Sequence, residues 1–307
     1  MRFVALLGVI VNAGIIVSGG AVRLTRSGLG CPTWPKCTGD SLVPTATPDH
    51  SPVNMAIEFS NRTLTFLVLA VGVAALVAAL RLAPRRRDLI RLAALQPLGV
   101  VAQIGLGGIT VLTDLHPAAV AAHYLLSAII LAGTVLLYVR AGEGDERPRS
   151  LVGPGLRRLG YALTAVAFAL LTAGTVVTGS GPHAGDAKAP RFGFDIEHVA
   201  RVHGELAWAT VALTVALLVG LRRAGAPGQV RRRAAELFAL ELAQGVIGYV
   251  QYFTGVPAAL VGLHMLGSAL VWIAALRVVL ALRDRGPVGG PVPAGSPVLA
   301  EETPQSV

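Results

Sequence analysis

A chain of 307 residues, 53% hydrophobic and only 14% charged, with a mean hydropathy of +0.65, is too apolar for a soluble domain, where about 25% of residues carry charge. It reads as a polytopic membrane protein. The formal charge of +9 would suit a nucleic-acid partner if it formed one patch, but the arginines are parcelled into separate short loops, which excludes that class.

Eight apolar segments of about 20 residues, the length that crosses a bilayer, follow one another. The first spans 3–22. It is too long for a signal-peptide core and lacks a small-x-small cleavage site, so it is expected to stay as a helix. A loop over 23–55 carries the chain's two cysteines, Cys31 and Cys37, in CPTWPKC. In an oxidising compartment they read as a local disulfide. A structural staple is favoured over a redox pair, because the spacing is not CxxC.

The second segment, 57–80, opens on Glu58, Asn61 and Arg62. Ionisable groups inside a bilayer cost roughly 2.5–3.5 kcal/mol each on insertion scales, so they are rare there and usually functional. RLAPRRRDLIR (81–91) separates it from segments 92–112 and 118–139. The arginine-rich stretch 140–158 leads to 159–179 and 200–221, and RRAGAPGQVRRR (222–233) leads to 235–254 and 258–281. The positive-inside rule assigns the arginine loops and both termini to the cytoplasm. The Pro/Gly-rich stretch 283–307 is expected to be a disordered tail.

The chain also repeats itself. QIGLGGITVLTDLHPAAVAAHYLLSA (103–128) aligns with QGVIGYVQYFTGVPAALVGLHMLGSA (244–269), pairing Gln103 with Gln244, His123 with His264 and Ser127 with Ser268. NRTLTFL (61–67) answers HGELAWA (203–209), and VSGGAVR (17–23) answers VTGSGPH (177–183). The expected fold is therefore all-α, with eight transmembrane helices in two tandem four-helix bundles. Units with an even number of helices insert the same way up, so a pseudo-twofold along the membrane normal relates them. The division expected is 1–140 for the first bundle, 141–158 for a cytoplasmic linker, 159–282 for the second bundle and 283–307 for the tail.

The repeat sets Asn61, His123, His203 and His264 one to two turns below the outer ends of four parallel helices, roughly 6–10 Å deep at about 1.5 Å per residue. A lone intramembrane histidine usually bonds a neighbouring helix. Two at matched depth suit bis-imidazole ligation of a heme iron. A zinc site lacks a third close ligand, and a proton relay is the other alternative. Gln103 and Gln244 are candidates for interhelical glue. Arg23, Arg62 and Arg201 could meet heme propionates or snorkel to headgroups. His50, His116, His183 and His198 lie in or near outer loops, as do Asp186, Asp195 and Glu197, with His183 and His198 candidates for closing the second site.

GGAVRLTRSGLGCPTWPKC (19–37), the Glu-x-x-Asn-Arg of 58–62 and the paired transmembrane histidines together resemble the heme A synthases, over about residues 3–281. That resemblance implies conversion of heme O to heme A, a methyl group becoming a formyl group, for a terminal cytochrome oxidase in the cell membrane. By matching position His203 and His264 would ligate the iron of a heme B cofactor. His123 would ligate the substrate heme, and Glu58 would be the functionally important glutamate. Arg62 and Asn61 would line the substrate pocket, and Cys31 and Cys37 match the loop cysteines. The commoner pattern is Glu-x-x-His-Arg; Asn61 departs from it. The partners implied are heme O, a heme O synthase, an electron donor and membrane lipid, with self-association left open. The main alternative is a diheme b-type electron carrier that leaves heme unmodified. A transporter would need polar, broken helices at midplane, whereas these polar positions crowd the outer third.

Overall fold

The computed structural model describes residues 1–45 and 51–288. Eight helices dominate them: α1 (Arg2–Leu24), α2 (Pro52–Leu80), α3 (Arg87–Leu112), α4 (Pro117–Arg140), α5 (Pro154–Ser180), α6 (Ile196–Arg223), α7 (Gly228–Phe253) and α8 (Ala258–Ala281). Several begin some residues before the apolar run. Pro52, Pro117 and Pro154 open α2, α4 and α5, at the position where proline's missing N–H and fixed φ cost nothing. Asp195 caps α6, its carboxylate accepting from the His198 N–H at 2.7 Å, one of the donors a helix start leaves unpaired.

Seven of the eight are long and apolar enough to cross a membrane; α7 is not. The expectation of eight apolar spans is corrected there. α7 has 26 residues, about 39 Å at 1.5 Å per residue, but it carries Arg231, Arg232, Arg233, Glu236 and Glu241. It packs between α6 and α8; Glu236 pairs with Arg232 and Arg233 of the same helix, while Glu241 accepts from Thr214 of α6.

α1 packs on α2 and α4, and α3 on the same two; α5 packs on α6 and α8, and α7 likewise. α8 also meets α1 and α4, and α4 meets α5. The apolar cores lie toward the arginine-bearing ends of the helices. One joins Ala5, Ala75, Ala79, Leu89, Ala93 and Leu137. The larger includes Leu163, Leu217, Leu221, Leu237, Val278 and Leu282. At that end β1 (Arg149–Ser150) pairs antiparallel with β2 (Arg283–Asp284). Residues 283 and 284, assigned from sequence to a disordered tail, are thus tied to the linker by backbone hydrogen bonds. The remainder of that tail, 289–307, and His50 lie outside the described residues.

At the opposite end the loops of the two halves meet. The Gly28 N–H donates to the Gly185 carbonyl at 2.9 Å, and Leu115 packs with Ala184 and Ala189. A Cβ on Gly28 would sit 2.7 Å from Leu115 Cδ1, so the approach requires glycine. Solid at one end and capped by loops at the other, the bundle is hollow between.

Candidate functional site

That hollow is one cavity of about 1880 Å³ lined from all eight helices. A pocket for a single small molecule is typically about 300–1,000 Å³, so this space is large enough for two large ligands. Its walls repeat. Val100, Gln103, Gly107 and Thr110 of α3 recur as Glu241, Gln244, Gly248 and Gln251 of α7, and Val120, His123 and Ser127 of α4 as Val261, His264 and Ser268 of α8. Glu58, Asn61 and Arg62 of α2 fall opposite Ala200, His203 and Gly204 of α6. The α1–α5 match needs correcting. The lining residues Ile15, Ile16, Gly19, Gly20, Val22 and Arg23 have the spacing of Leu170, Leu171, Gly174, Thr175, Val177 and Thr178, not the register that pairs 17–23 with 177–183. Short Gly/Ser/Val strings match in several registers; the inward face of a helix is more discriminating.

His203 and His264 face each other with ring centroids 6.2 Å apart and planes at 63°. A metal–imidazole bond of about 2 Å on each side, plus the half-width of each ring, puts two trans ligands of one ion roughly 6 Å apart. The pair has that separation. Each ring's Nδ1 is buried without a hydrogen-bond partner, as is that of His123. Among the described residues no three His, Cys, Asp or Glu side chains gather into a metal cluster.

A glycine on the neighbouring helix makes room for each ring. A Cβ on Gly174 would lie 3.2 Å from His203 Cε1, one on Gly248 3.4 Å from His264, and one on Gly107 3.3 Å from His123. Glutamines then fix the histidine backbones. Gln103 donates to the His123 carbonyl at 3.0 Å and Gln244 to the His264 carbonyl at 2.9 Å, the interhelical glue expected of them. Opposite Asn61 the fourth glycine, Gly19, would meet nothing within 4 Å if it gained a Cβ. Asn61 is shorter than an imidazole, and its Oδ1 accepts from Ser18 Oγ at 2.7 Å.

The outer loop is bound to α2 through the polar start of that helix. Cys31 and Cys37 form a disulfide, and both are buried. The Cys31 N–H donates to Glu58 Oε2 at 2.7 Å. Arg62 donates to Glu58 Oε1 through Nε at 3.0 Å and Nη2 at 2.6 Å, and to the carbonyls of Cys31, Thr33 and Lys36 at 2.6, 3.1 and 3.1 Å. Those bonds occupy all five guanidinium N–H donors, so none is left for a propionate. Arg62 is thus a clamp between the loop and α2. Trp34, on the same loop, lies against α3: a Cβ on Gly108 would be 2.6 Å from its Cδ2.

The other two arginines differ. Arg201 is exposed and lines the cavity. Arg23 lines it as well, donating to the His183 carbonyl at 2.7 Å while its Nε stays buried and unpartnered. His183 bonds the Val256 carbonyl at 2.9 Å, and Nδ1 of His116 accepts from the N–H of Ala118. Asp186 accepts from the Lys188 N–H, and Glu197 stands at the cavity wall.

Sequence reasoning passed over three groups. Glu241 is buried in the second half, one oxygen accepting from Thr214 at 2.9 Å and the other unpartnered. Asn12, Gln96 and Thr134 form a buried network in the first half, Thr134 donating to Gln96 at 2.6 Å. Tyr124 joins the halves through Ser268 at 3.2 Å. Polar residues within apolar runs, the feature that singled out Glu58, would also have found Asn12, Gln96 and Glu241.

The family described as cytochrome oxidase assembly protein (COX15-CtaA) matches residues 2–276. Among curated relatives, the heme A synthase of Halalkalibacterium halodurans is 30% identical over 182 residues, 57% of this chain and 59% of that protein. The heme A synthase of Symbiobacterium thermophilum is 30% identical over 185 residues, 58% of each. That of Alkalihalophilus pseudofirmus is 28% identical over 176 residues, covering 55% of this chain and 57% of its own length. The chain thus spans somewhat under three fifths of these relatives' lengths.

Proposed function

Since the chain belongs to the COX15-CtaA family of cytochrome oxidase assembly proteins, a multi-pass membrane protein, we propose that it is a heme A synthase, an oxidoreductase converting a methyl group of heme O into a formyl group. One observation carries the reading. A single cavity holds two sites of one design but unequal content: a histidine pair 6.2 Å apart in the second half, and His123 across from Asn61 in the first. Two histidines would hold a heme that relays electrons, and His123 alone would hold a heme that must bind and leave as substrate and product.

In this reading His203 and His264 hold heme B, which supplies electron relay when bound. His123 holds the substrate heme beside Asn61. Arg201 and Arg23 neutralise propionates, since both line the cavity and Arg62 is committed elsewhere. Glu58 is the proposed catalytic residue: its carboxylate borders the first-half cavity, held between Arg62 and the Cys31 N–H. Such fixing orients a group toward a developing charge without reorganisation during the reaction. The outer loop, clamped through the same two residues, covers the site against water. The two halves are read as four-helix bundles related by a pseudo-twofold along the membrane normal, with both termini and the arginine loops on the cytoplasmic side of a bacterial cell membrane. Heme O, the enzyme that makes it and an electron donor are the partners proposed.

Co-expression with a heme O synthase, followed by heme extraction, tests the function. Heme A in the extract is the expected result. Heme B bound without heme A would reject it and leave the diheme electron carrier, which the continuity of the cavity also allows.

A further inference from the structure

A second concavity lies at the arginine-bearing end, far from the histidines in every helix that contributes to both. Arg85, Arg87, Asp88, Arg140, Asp145 and Arg285 line a pocket of about 370 Å³. It sits where the α2–α3 connection, the end of α4, the linker and the strand after α8 converge.

Its charges do not balance. Asp88 is taken by Arg86 at 3.2 Å and by Arg140, and Asp145 lies 3.8 Å from the same two. Arg140, whose side chain is 5% exposed, also pairs with Glu143 at 2.8 Å. Arg85, Arg87 and Arg285 have no carboxylate partner among the described residues. The Nε atoms of Arg283 and Arg285 are buried without an acceptor. Burial, together with the nearby Arg140 and Arg283, pulls the Arg285 guanidinium below its ordinary pKa. Arg85 and Arg87 are exposed; with Arg285 they set like charges around one concavity, where they repel each other, and the buried Arg285 Nε lacks an acceptor. A bound anion removes both penalties.

We propose that this pocket binds a phosphate group, through Arg85, Arg87 and Arg285. Guanidinium forks match phosphate oxygens in bidentate geometry, and basic pockets between spanning helices at the arginine-rich face suit anionic headgroups. The phosphate comes either from an anionic phospholipid of the adjoining leaflet or from free phosphate. Either joins the α2–α3 loop to the segment after α8, stapling the middle of the first half to the end of the second. The inference does not depend on the heme reading.

The test uses the full chain in detergent, with dioleoylphosphatidylglycerol, dioleoylphosphatidylcholine and inorganic phosphate as separate probes. Native mass spectrometry should show one phosphatidylglycerol retained and no phosphatidylcholine. The triple variant R85Q/R87Q/R285Q should weaken retention about tenfold or more, while R157Q/R158Q, which removes two exposed arginines elsewhere, leaves it unchanged. A thermal shift with inorganic phosphate but not with chloride, lost in the triple variant, identifies free phosphate as the source. The proposal is overturned if the triple variant responds to both probes as the parent does, or if R157Q/R158Q weakens binding as much.

Discussion

The two halves of the cavity share a wall pattern and differ in what stands on it. In the second half His203 and His264 oppose each other, each against its glycine, and the positions matching Glu58 and Arg62 are Ala200 and Gly204. In the first half one imidazole is replaced by Asn61, and the other two positions carry the ion pair that holds the disulfide loop. On the facing walls of α2 and α6 the two halves therefore differ at three matched cavity positions. The second half carries the histidine pair, with Glu241 and Gln251 where the first has Val100 and Thr110. The first carries an amide in place of one ring, and a carboxylate and a guanidinium that bind the disulfide loop.

The largest effect should come from breaking the symmetric pair. His203→Ala or His264→Ala is expected to abolish the low-spin heme spectrum of the purified protein, whereas His123→Ala should leave that spectrum and remove heme A formation. Equal loss in all three variants would end the distinction between the halves.

Next in size is the clamp. Arg62→Ala leaves the buried Glu58 carboxylate without its cation, a change that costs about 3 kcal/mol or more when a partly buried pair is broken from one side. It also releases the carbonyls of Cys31, Thr33 and Lys36. Thermal melts should show a lower first transition with the low-spin heme signal retained, since the positions matching Glu58 and Arg62 in the second half are Ala200 and Gly204. Glu58→Gln keeps a neutral hydrogen-bonding group at the site; retained heme with conversion lost is expected. Full activity in Glu58→Gln would remove the carboxylate from the mechanism.

Asn61→His should then make the first half resemble the second. Gly19 has open space where a ring would lean, and only the Ser18 hydrogen bond is lost. The expected outcome is a second six-coordinate heme signal with turnover lowered about tenfold, ~1.4 kcal/mol in barrier. Unaltered turnover alongside the new signal would mean that an open iron face is not what the first half needs.

A side chain's role is legible in the sequence when its partner is local or repeated. The helices, the facing of His203 and His264 and the Gln103 and Gln244 contacts were legible because apolar runs and the repeat spacing encode them. The loop clamp made by Arg62 was not legible because its partners are loop carbonyls about 26–31 residues away in the chain, and no periodicity reports where an irregular loop returns. The α7 helix fails a hydropathy test for a related reason. Its buried Glu241 is tolerable only beside Thr214 of α6, a contact between helices that composition does not see.

The smallest expected effect is also the most direct probe of the shared wall. Gly174→Ala puts a methyl 3.2 Å from His203 Cε1, close enough that the ring must shift by a few tenths of an ångström. Alanine is otherwise a better helix former than glycine by about 0.8–1.0 kcal/mol, so stability should change little or rise while the low-spin heme bands shift. Gly19→Ala has the same helix benefit and meets nothing, so its spectrum should match the parent's. The pair separates two reasons for a glycine in a spanning helix. If Gly174→Ala is spectrally silent, the glycines are not ring seats, and the empty place beside Asn61 loses its meaning as the footprint of a missing histidine. If both variants shift the bands, the halves are coupled through their walls. A shift in Gly174→Ala alone, with Gly19→Ala becoming sensitive once Asn61→His is introduced, is the result that a duplicated and then specialised site requires.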